Sequence, residues 1–501
     1  MTINIISCVI PYKNRLAIGK NNDLLVKLKN DQSFFKKITM ESLSSSSKLE
    51  KNIVLMGRKT WFSIPQEKRP LQNRINLVLT NDCDLLKLSP YNSKKKINKD
   101  IYFLNYKKFL QFYKKYNPNV FVIGGSDIYN LFLKEDSIFL ANNIYLTEVK
   151  NYKLKDEPDT FIDIPDYRYR LISYSEKYET EKCNYRILKY KLNENESLTG
   201  EFRNEISYLD LAKKVLKNGN ERIDRTNVGT ISTFGESLRF DISNGTVPLL
   251  TTKRVPLKAC IEELLFFCRG DTDAKILDNR GVKIWNGNSS REFLDKRGLR
   301  NYKEGILGPV YGWQWRFFGA KYSQAFADTS FIDTSKIGGV DQLSQVLHQL
   351  KTDPFSRRII ISAWNPTDLN KMCLPACHYS IQFYVEEKNN EKYLSASFNM
   401  RSSDVFLGLP FNIASYSILL NILAKKAGMK TKEIIYNGGD VHIYKNHIDQ
   451  VKEQLKRRPR PFPKIHLNQR IQYIDWSDIK YSDFELIGYF PYEKLIAPMA
   501  V

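Results

Sequence analysis

A cysteine near the start of a strand-like stretch is the strongest candidate for chemistry in this chain. Cys377 precedes residues 378–385, in which apolar and polar side chains alternate in the manner of a β-strand. The thiolate form of cysteine is the nucleophile, and cations favour that form. The sequence offers Arg357 and Arg358 upstream and Arg401 downstream. This combination suits nucleophilic catalysis, whereas a lone cysteine without such company is more often a buried structural residue.

Asp31 is a second candidate, in the first turn of a helix with an apolar face. Asp31 and Phe35 are four residues apart and therefore share one side of that helix. A carboxylate beside an aromatic ring can recognise a flat heterocycle that carries N–H donors. The simpler interpretation is an acid that only stabilises the positive end of the helix dipole, and from Asp31 alone that interpretation is preferred.

Two strand-to-helix junctions carry features of phosphate binding. Arg58, Lys59 and Thr60 open a helix after a strand-like run, so cations would stand beside unpaired backbone N–H groups. Gly124 and Gly125 lie between a buried strand and a helix, where glycine lets the backbone approach a phosphate closely. Each feature is weak by itself.

Two adjacent acids, Glu262 and Glu263, lie in an almost entirely apolar helix at residues 259–267. Neighbouring helical positions point about 100° apart, so we expect one acid to face inward and the other to reach solvent. A buried carboxyl holds its proton more tightly and can serve as a general acid or base. Two surface acids are the alternative.

The elements that must position these residues fall into two blocks of sequence. Strands alternate with helices through residues 1–192, which predicts an α/β domain with a mostly parallel central sheet. Residues 193–203 are polar and predict a short linker. Residues 204–501 form the second predicted domain.

The composition is that of a soluble globular protein with two or three domains. The chain has 501 residues, of which 42% are hydrophobic and 26% charged. Its start reads as a strand and not as a signal peptide, and no apolar run has the length of a membrane span. Seven scattered cysteines without a CxxC pair predict neither a metal site nor a disulfide framework. We therefore expect a cytoplasmic location and no membrane attachment.

The net charge of +22 has three interpretations. It could bind nucleic acid, belong to a lysine-rich solvated surface, or attract small anionic substrates. The chain contains no recognisable nucleic-acid reader module, so nucleic-acid binding ranks lowest of the three.

The first block resembles the dihydrofolate reductase family in the order and spacing of its motifs. The matching segments are Ala17-Ile18-Gly19-Lys20-Asn21, Asp31, residues 56–65, Arg69-Pro70-Leu71, residues 74–79, Val122-Ile123-Gly124-Gly125 with Tyr129, and Thr147. The resemblance implies a dihydrofolate reductase-like domain that reduces dihydrofolate to tetrahydrofolate with NADPH.

The same resemblance implies roles for individual residues. Asp31 would hold the pterin and assist protonation of its N5, with support from Thr147. Arg74 would pair with the folate α-carboxylate. The other folate-binding residues would be Phe35, Ser63, Ile64 and Leu71. The NADPH-binding residues would be Ile18, Gly19, Arg58, Lys59, Thr60, Thr80, Gly124, Gly125 and Tyr129.

The second block resembles the thymidylate synthase family. The matching segments are Trp285, residues 308–312, residues 353–358, Cys377-His378, residues 401–412, residues 438–444, residues 458–461 and residues 497–501. The resemblance implies an α+β fold and the reductive methylation of dUMP to dTMP with 5,10-methylenetetrahydrofolate, without a metal.

In that family's chemistry, Cys377 would attack C6 of the uracil, Glu263 would relay protons, and Tyr311 would assist removal of the C5 proton. The dUMP-binding residues would be Arg225, His378, Arg401, Ser402, Asn412, His442 and Tyr444, with Arg357 and Arg358 of the partner subunit. The folate contacts would be Trp285, Asp404 and the carboxylate of Val501.

Asn412 separates dUMP from dCMP as the substrate. An amide can donate to and accept from the uracil edge, whereas the related dCMP hydroxymethylases carry an acid there. Together the two halves resemble the bifunctional dihydrofolate reductase–thymidylate synthase family, which implies a homodimer through the synthase half. Only the methylating reaction oxidises the folate, so only that reaction benefits from a tethered reductase.

Five residues depart from the two family patterns. Pro11 has no N–H to donate, and Leu25 and Val26 stand where proline and tryptophan are usual. Met400 replaces a glutamine, and Asn286 replaces an aspartate. We expect a slower reductase with an altered inhibitor profile, and altered ligand affinity in the synthase. The alternatives are an active synthase beside a weak reductase, and a basic RNA-binding protein that has lost one activity.

Overall fold

A computed structural model describes residues 2–41, 47, 49–89, 100–134, 137–193, 204–223 and 228–499. The chain forms two compact units, Met1–Leu198 and Thr199–Val501. The division falls inside the predicted linker, of which residues 194–203 lie outside the described residues. The domain boundaries at 192 and 204 therefore stay predictions.

The first unit is built on a sheet whose six central strands all run parallel. In spatial order these strands are Asn143–Lys150, Thr2–Tyr12, Asn119–Gly124, Ile53–Gly57, Ile75–Leu79 and Ile101–Leu104. Antiparallel strands Asn184–Leu192 and Tyr169–Tyr174 extend one edge. The smaller strands are Arg15–Lys20, Asp23–Leu24, Thr160–Ile162 and Tyr178–Glu179. The predicted mostly parallel central sheet is confirmed.

Short crossover helices connect the parallel strands, as parallel pairing requires. They are Lys29–Glu41, Arg58–Ser63, Cys83–Lys87, Tyr106–Tyr116 and Ser126–Asn130. Local sequence explains their ends: Asn105 accepts a hydrogen bond from the Lys108 N–H at 2.9 Å and so caps the fourth helix. Phe109, Phe112 and Tyr113 form the buried face of that helix.

The second unit contains a six-stranded sheet in which only one neighbouring pair is parallel. In spatial order the strands are Asn220–Arg222, Thr230–Asp241, Lys430–Tyr444, Glu391–Asp404, His378–Lys388 and Ile360–Ser362. The third and fourth strands form the parallel pair. A separate two-stranded sheet pairs Lys464–Leu467 with Phe484–Ile487. This mixture of helices and a mainly antiparallel sheet is the α+β fold that was predicted.

Helices cover one face of this sheet and form the core of the second unit. They are Glu205–Asn218, Leu257–Arg269, Lys275–Asn279, Arg291–Lys296, Tyr311–Phe317, Gln342–Thr352, Gly408–Ala427 and Ile448–Leu455. Strand His378–Lys388 shows how the sheet divides: Ile381 and Phe383 are buried, while Gln382 and Tyr384 are exposed on the other face. Among the described residues, no helix is both long and apolar enough to cross a membrane.

Candidate active sites

Cys377 lies directly before strand His378–Lys388 and is half-buried. The Arg401 Nη2 atom is 3.8 Å from its Sγ atom. Arg401 is held there by its own donors, since Nη2 donates to the Pro375 carbonyl at 2.8 Å and Nε donates to the Ala376 carbonyl at 2.9 Å. A fixed cation next to the sulfur favours the thiolate.

Tyr311 and His378 form the wall beside this sulfur. The Cys377 backbone N–H donates to the Tyr311 hydroxyl at 2.8 Å. The Tyr311 and His378 rings stack with centroids 4.0 Å apart. Burial, and next the charge of Cys377, raise the pKa of Tyr311 above its ordinary value, so its hydroxyl stays protonated.

His378 is a neutral imidazole in this environment. Burial lowers the pKa of His378 to about 3, and its Nδ1 lies 2.7 Å from the Tyr416 hydroxyl. Tyr416 was missed by the sequence analysis. It lies four residues after Asn412 in helix Gly408–Ala427, and that spacing, which puts both on one helix face, was the available signal.

Glu263 is the acid of this site. Its Oε1 accepts a hydrogen bond from the Trp285 indole N–H at 2.7 Å. Burial raises the pKa of Glu263 to about 7, although the indole bond works in the opposite direction. The expectation that one of the two acids reaches solvent is wrong: Glu262 is also buried, and it forms an ion pair with Arg280 at 2.9 Å.

A cavity lies between Glu263 and several polar and aromatic side chains of the second unit. It is lined by Glu263, Leu264, Phe267, Trp315, His378, Asn412, Ser415 and Tyr416. Asn412 and His378 thus share one space with Glu263. A carboxyl that titrates near neutrality can exchange protons with a group placed in that space.

Met400 occupies the wall next to Asn412. The Asn412 Nδ2 atom donates to the Met400 Sδ atom at 3.7 Å, and the Ser403 hydroxyl approaches the same sulfur at 3.6 Å. The Tyr436 hydroxyl donates to the Ser403 hydroxyl at 2.7 Å. Thioether sulfur is a weak acceptor, so the departure from glutamine keeps an acceptor in this position but weakens it.

His442, Tyr444 and Asp404 meet at the end of the parallel strand pair. Asp404 is the register partner of His442, whose Nδ1 lies 2.9 Å from the Asp440 carboxylate. The His442 and Tyr444 rings are 5.1 Å apart. Burial works to raise the pKa of Asp404, but a hydrogen bond and positive charge from His447 outweigh it, and the pKa of Asp404 is lowered.

The remaining residues predicted for the second unit are not in this cluster of described contacts. Ser402 is half-buried on strand Glu391–Asp404. Arg357 and Arg358 are exposed at the far end of the sheet, where the Gln382 side chain donates to the Arg357 carbonyl at 3.2 Å. Arg225 and Val501 lie outside the described residues, and Asn286 is exposed beside the buried Trp285.

In the first unit, Asp31 and Thr147 come together across 116 residues of sequence. The Thr147 hydroxyl donates to Asp31 Oδ1 at 2.5 Å. Burial raises the pKa of Asp31, and the Thr147 bond partly opposes that rise. Cys8, which the sequence analysis left out, is the register partner of Thr147. Burial, and next the charge of Asp31, raise the pKa of Cys8 well above its ordinary value, so its thiol is neutral.

Arg74 is buried beneath the helix that carries Asp31. Its Nη1 donates to the Thr39 hydroxyl at 2.9 Å, and its guanidinium lies over the Phe35 ring at 5.6 Å. A cation over an aromatic ring of the same helix that carries Asp31 suits a ligand with a flat head and a charged tail. Of the other predicted folate-site residues, Ser63 is exposed, and Ile64 and Leu71 are half-buried.

The predicted cofactor residues include a bare stretch of backbone. Gly124 has φ of +122°, and a Cβ added at Gly125 would lie 3.4 Å from the Thr60 hydroxyl. Gly19 is tighter, since a Cβ there would lie 2.9 Å from the Asp23 carbonyl, and it lies within strand Arg15–Lys20. The bare backbone of Gly124 and Gly125 beside the Thr60 hydroxyl, at a strand–helix junction, fits the phosphates of a dinucleotide.

Other predicted cofactor residues already have partners. The exposed Arg58 forms an ion pair with Asp82 at 2.9 Å, and the Thr80 hydroxyl accepts from the Asp82 N–H at 3.0 Å. Tyr129 is buried and donates to the Ile6 carbonyl at 2.7 Å. Lys59 is exposed and Ile18 is buried.

The departures near Asp31 have different surroundings. Pro11 is exposed at the end of its strand. Leu25 and Val26 pack against an apolar cluster that includes Leu28 and Val149. Apolar packing therefore replaces the ring that the family pattern has here. Within the described ranges, no group of three His, Cys, Asp or Glu side chains could hold a metal ion.

The fold and these sites define an enzyme with two centres, one built around the hydrogen-bonded pair Asp31 and Thr147 and one around a cysteine held beside an arginine. Family models agree with this division. The model for dihydrofolate reductase matches residues 5–192, and the model for thymidylate synthase matches residues 206–501.

Several relatives match almost the whole chain. The chain is 37% identical to a bifunctional dihydrofolate reductase-thymidylate synthase of Zea mays, over 98% of this chain and 96% of that protein. It is 36% identical to the corresponding protein of Leishmania major, over 99% of this chain and 95% of that protein. It is also 48% identical to a thymidylate synthase of Saccharomyces cerevisiae, over 61% of this chain. The chain belongs to the bifunctional dihydrofolate reductase–thymidylate synthase family.

Membership in this family confirms the predicted pair of activities. The protein is an enzyme of thymidylate biosynthesis that methylates dUMP with 5,10-methylenetetrahydrofolate and reduces the resulting dihydrofolate with NADPH. Neither a synthase with a weak reductase nor an RNA-binding protein is favoured.

Proposed function

We propose that Cys377 is the nucleophile of the synthase reaction and that Arg401 keeps it ionised. The supporting observation is the 3.8 Å separation between the Arg401 guanidinium and the Cys377 sulfur. The thiolate attacks C6 of dUMP, which leaves a carbanion at C5. C5 then bonds to the methylene carbon of the folate and loses its proton, and the folate leaves that carbon as tetrahydrofolate, which gives an exocyclic methylene on C5. Tetrahydrofolate transfers hydride to this exocyclic methylene carbon, the Cys377 thiolate leaves C6, and the products are dTMP and dihydrofolate.

Glu263 relays protons in this proposal. A carboxyl with a pKa of about 7 populates both its protonated and its ionised form at neutral pH, so it can give up a proton and take one back. Tyr311 assists loss of the C5 proton. Its hydroxyl accepts a hydrogen bond from the Cys377 backbone N–H at 2.8 Å, so Tyr311 is held beside the nucleophile.

Recognition of dUMP divides among three parts of the molecule. Asn412 reads the uracil edge from the cavity shared with Glu263 and His378. The sugar hydroxyl contacts His442 and Tyr444. The phosphate is held by Arg225, Arg401, Ser402, and Arg357 and Arg358 of the partner subunit. The folate is held by Trp285, Asp404 and the terminal carboxylate of Val501.

In the reductase, Asp31 holds the pterin and assists protonation of N5, while Thr147 orients the carboxyl at 2.5 Å. Phe35, Ser63, Ile64 and Leu71 line the folate site, and Arg74 pairs with its α-carboxylate. NADPH supplies the hydride when it is bound. The residues that would hold it are Ile18, Gly19, Arg58, Lys59, Thr60, Thr80, Gly124, Gly125 and Tyr129.

The protein is a homodimer in this proposal, through the outer face of the six-stranded sheet. Tyr384 is 66% exposed and Ile360 is 45% exposed on that face, and large exposed apolar side chains mark interfaces. Ile360 pairs with Gln382 in register, and Gln382 binds the Arg357 carbonyl. The same face therefore continues into the loop that would supply arginines to the neighbouring site.

The functional domains of this proposal are residues 1–192 and 204–501 with a linker at 193–203. The location is the cytoplasm, which suits seven free cysteines. Fractionation of cells that express the protein tests the location, and its recovery in an organelle fraction would contradict it.

Covalent trapping tests the nucleophile. 5-Fluoro-dUMP has fluorine where the proton must leave C5, so the protein should accumulate a covalent complex with 5-fluoro-dUMP and the folate. Peptide mass analysis should place the adduct on Cys377. A stable adduct on another residue would refute the assignment, as would the absence of any adduct in protein that forms dTMP.

Subunit complementation tests the shared site. Arg357→Leu and Cys377→Ala chains should each lack synthase activity as homodimers. Co-expressed chains should regain activity, because one site of each heterodimer combines an intact Cys377 with the partner subunit's Arg357. The dimer proposal fails if the co-expressed chains do not regain synthase activity. It also fails if sedimentation analysis shows that the active protein is a monomer.

A further inference from the structure

Four asparagine side chains, hereafter the amide row, form a hydrogen-bonded line in the first unit. The row consists of Asn143, Asn4, Asn119 and Asn52. Asn143 Nδ2 donates to Asn4 Oδ1 at 2.9 Å. Asn4 Nδ2 donates to Asn119 Oδ1 at 2.9 Å, and Asn119 Nδ2 donates to Asn52 Oδ1 at 3.0 Å. All four amides therefore point in the same direction.

The amide row crosses four neighbouring parallel strands at their amino ends. Asn143 and Asn119 are the first residues of their strands, and Asn52 directly precedes strand Ile53–Gly57. The strand register pairs Asn4 with Asn143. In a parallel sheet the amino ends of all strands lie at the same end of the sheet. The row therefore lies at the end of the sheet opposite to the glycine pair proposed to receive the cofactor.

Burial makes the direction of the row unique. Asn4, Asn119 and Asn52 are 4%, 5% and 2% exposed. A buried amide is costly unless both its donor and its acceptor are paired. Turning one amide over would face NH₂ with NH₂ on one side and carbonyl with carbonyl on the other. Each member of the row therefore fixes the orientation of the next.

The row ends on the helix that carries Asp31. Asn52 Nδ2 donates to the Thr39 carbonyl at 3.0 Å. Thr39 lies in the last turn of helix Lys29–Glu41, where carbonyls have no partner within the helix. The Thr39 hydroxyl in turn accepts from Arg74 Nη1. The backbone carbonyl of Asn52 also accepts from the Ile75 N–H at 2.9 Å. Asn52 thus joins the helix end to the strand start that follows Arg74.

We propose that the amide row positions Arg74 and thereby sets the affinity for the glutamate end of folate. This inference rests on the proposed role of Arg74 as the partner of the folate α-carboxylate. The members of the row are positioning residues, because they act through Thr39 and the guanidinium. The pterin end is held separately by Asp31 and Thr147. Damage to the row should therefore affect ligands that carry a glutamate and spare ligands that do not.

Asn119→Leu tests this inference in the middle of the row, where the side chain is separated from Thr39 by Asn52. Two inhibitors serve as probes: methotrexate, which carries the glutamate, and a 2,4-diaminopyrimidine without any carboxylate. We expect the Kd of methotrexate to rise about tenfold, equivalent to about 1.4 kcal/mol. The Kd of the diaminopyrimidine should change less than about twofold. Fluorescence titration in the presence of NADPH measures both.

Steady-state kinetics provide the second readout. The KM for dihydrofolate should rise by about the same factor as the methotrexate Kd, while kcat stays within about twofold, since the pterin keeps its carboxyl partner. Asn119→Thr is the second variant: threonine suits a strand but is too short to reach Asn52. The synthase activity of the same chain and its thermal unfolding report whether each variant is folded.

Asn142→Leu is the matched control. The Asn142 side chain accepts from the Ile3 N–H at 2.9 Å at the same edge of the sheet but outside the row. Its loss should leave the ratio of the two inhibitor affinities unchanged. Equal weakening of both inhibitors by the Asn119 variants would overturn the inference, and so would unchanged methotrexate binding.

Arg74→Leu separates the inference from the proposed function on which it rests. If this variant binds methotrexate as tightly as the parent, the assigned role of Arg74 has failed. If Arg74→Leu weakens methotrexate while Asn119→Leu does not, Arg74 keeps its role and only the positioning by the amide row has failed.

Discussion

Each half has a carboxyl at its proposed active site whose pKa is raised by burial, and the surroundings of these two carboxyls differ. Asp31 is half-buried in the first turn of its helix and has a hydroxyl donor, Thr147, at 2.5 Å. Glu263 is buried in the middle of an apolar helix and has an indole donor, Trp285, at 2.7 Å. Burial raises the pKa of both, and that of Glu263 reaches about 7.

The difference shows how position along a helix selects the task of an acid. In the first turn, unpaired N–H groups and the helix dipole favour the ionised form. In the middle of a buried helix, only the single indole bond opposes the cost of a buried charge. Asp31 is therefore suited to holding a heterocycle with N–H donors, and Glu263 to passing protons near neutral pH.

The largest expected effect is that each of two substitutions abolishes one activity and spares the other. A different result would contradict the description of the two halves as independent active sites. Cys377→Ala should lower dTMP formation by at least about 10⁴-fold and leave dihydrofolate reduction within about twofold. Asp31→Ala should lower reduction by about 10² or more and leave dTMP formation intact. Separate assays of NADPH oxidation and dTMP formation measure both. Loss of both activities in one folded variant would show that the two centres are not independent.

The second prediction concerns stability and pH. Glu263 has an ordinary pKa of 4.5 when unfolded and about 7 when folded, so the folded protein binds more protons between these values. The stability contribution is full below pH 4.5 and is lost as pH rises through 7, by about 3 kcal/mol in total. Glu263→Gln lacks this loss. Its melting temperature relative to the parent should rise from pH 5 to pH 8, and a constant difference would contradict the assigned pKa.

A third prediction compares the two donors directly. Trp285→Phe removes the donor to Glu263, and Thr147→Val removes the donor to Asp31. Each change should raise the pKa of its carboxyl, because the lost hydrogen bond stabilises the ionised form of that carboxyl. The pH profile of dTMP formation should shift only in the first variant and that of reduction only in the second. Thr147→Ser keeps the hydroxyl and serves as the control, and a shift there would exclude the donor as the cause.

The smallest expected effect concerns Met400. Met400→Leu keeps the size of the side chain but removes the sulfur that accepts from Asn412 and Ser403. We expect the KM for dUMP to rise about two- to threefold, as suits a weak acceptor, with no change in reduction. Met400→Gln should lower that KM. If Leu and Gln behave alike, the sulfur has no role in orienting Asn412.

Much of the fold could be predicted because its signals are local. The alternation of apolar and polar side chains after Cys377 predicted the strand that follows it, and the alternation of strands with helices in residues 1–192 predicted a parallel sheet. Both patterns are formed by residues that are close together in the sequence. The prediction for Glu262 was wrong because helical periodicity gives the direction of a side chain but not what lies there. An ion pair with Arg280 accompanies its burial.

The residues that were missed depend on contacts between distant segments. Tyr416 belongs to the synthase site through a hydrogen bond to His378, 38 residues earlier. The amide row appears in the sequence only as polar residues near strand starts, which are typical of loops. Its meaning depends on strand order and register, which bring together asparagines separated by more than 100 residues.

By itself, the sequence determined the family, the two activities and the identity of the nucleophile candidate, because residue type and motif spacing carry that information. Only the tertiary structure decided which carboxyl titrates near neutrality, which arginine lies beside the sulfur, and how the asparagines are ordered. The physical reason is that burial and hydrogen bonding are set by the sum of all elements packed around a group, and most of those elements are remote from it along the chain.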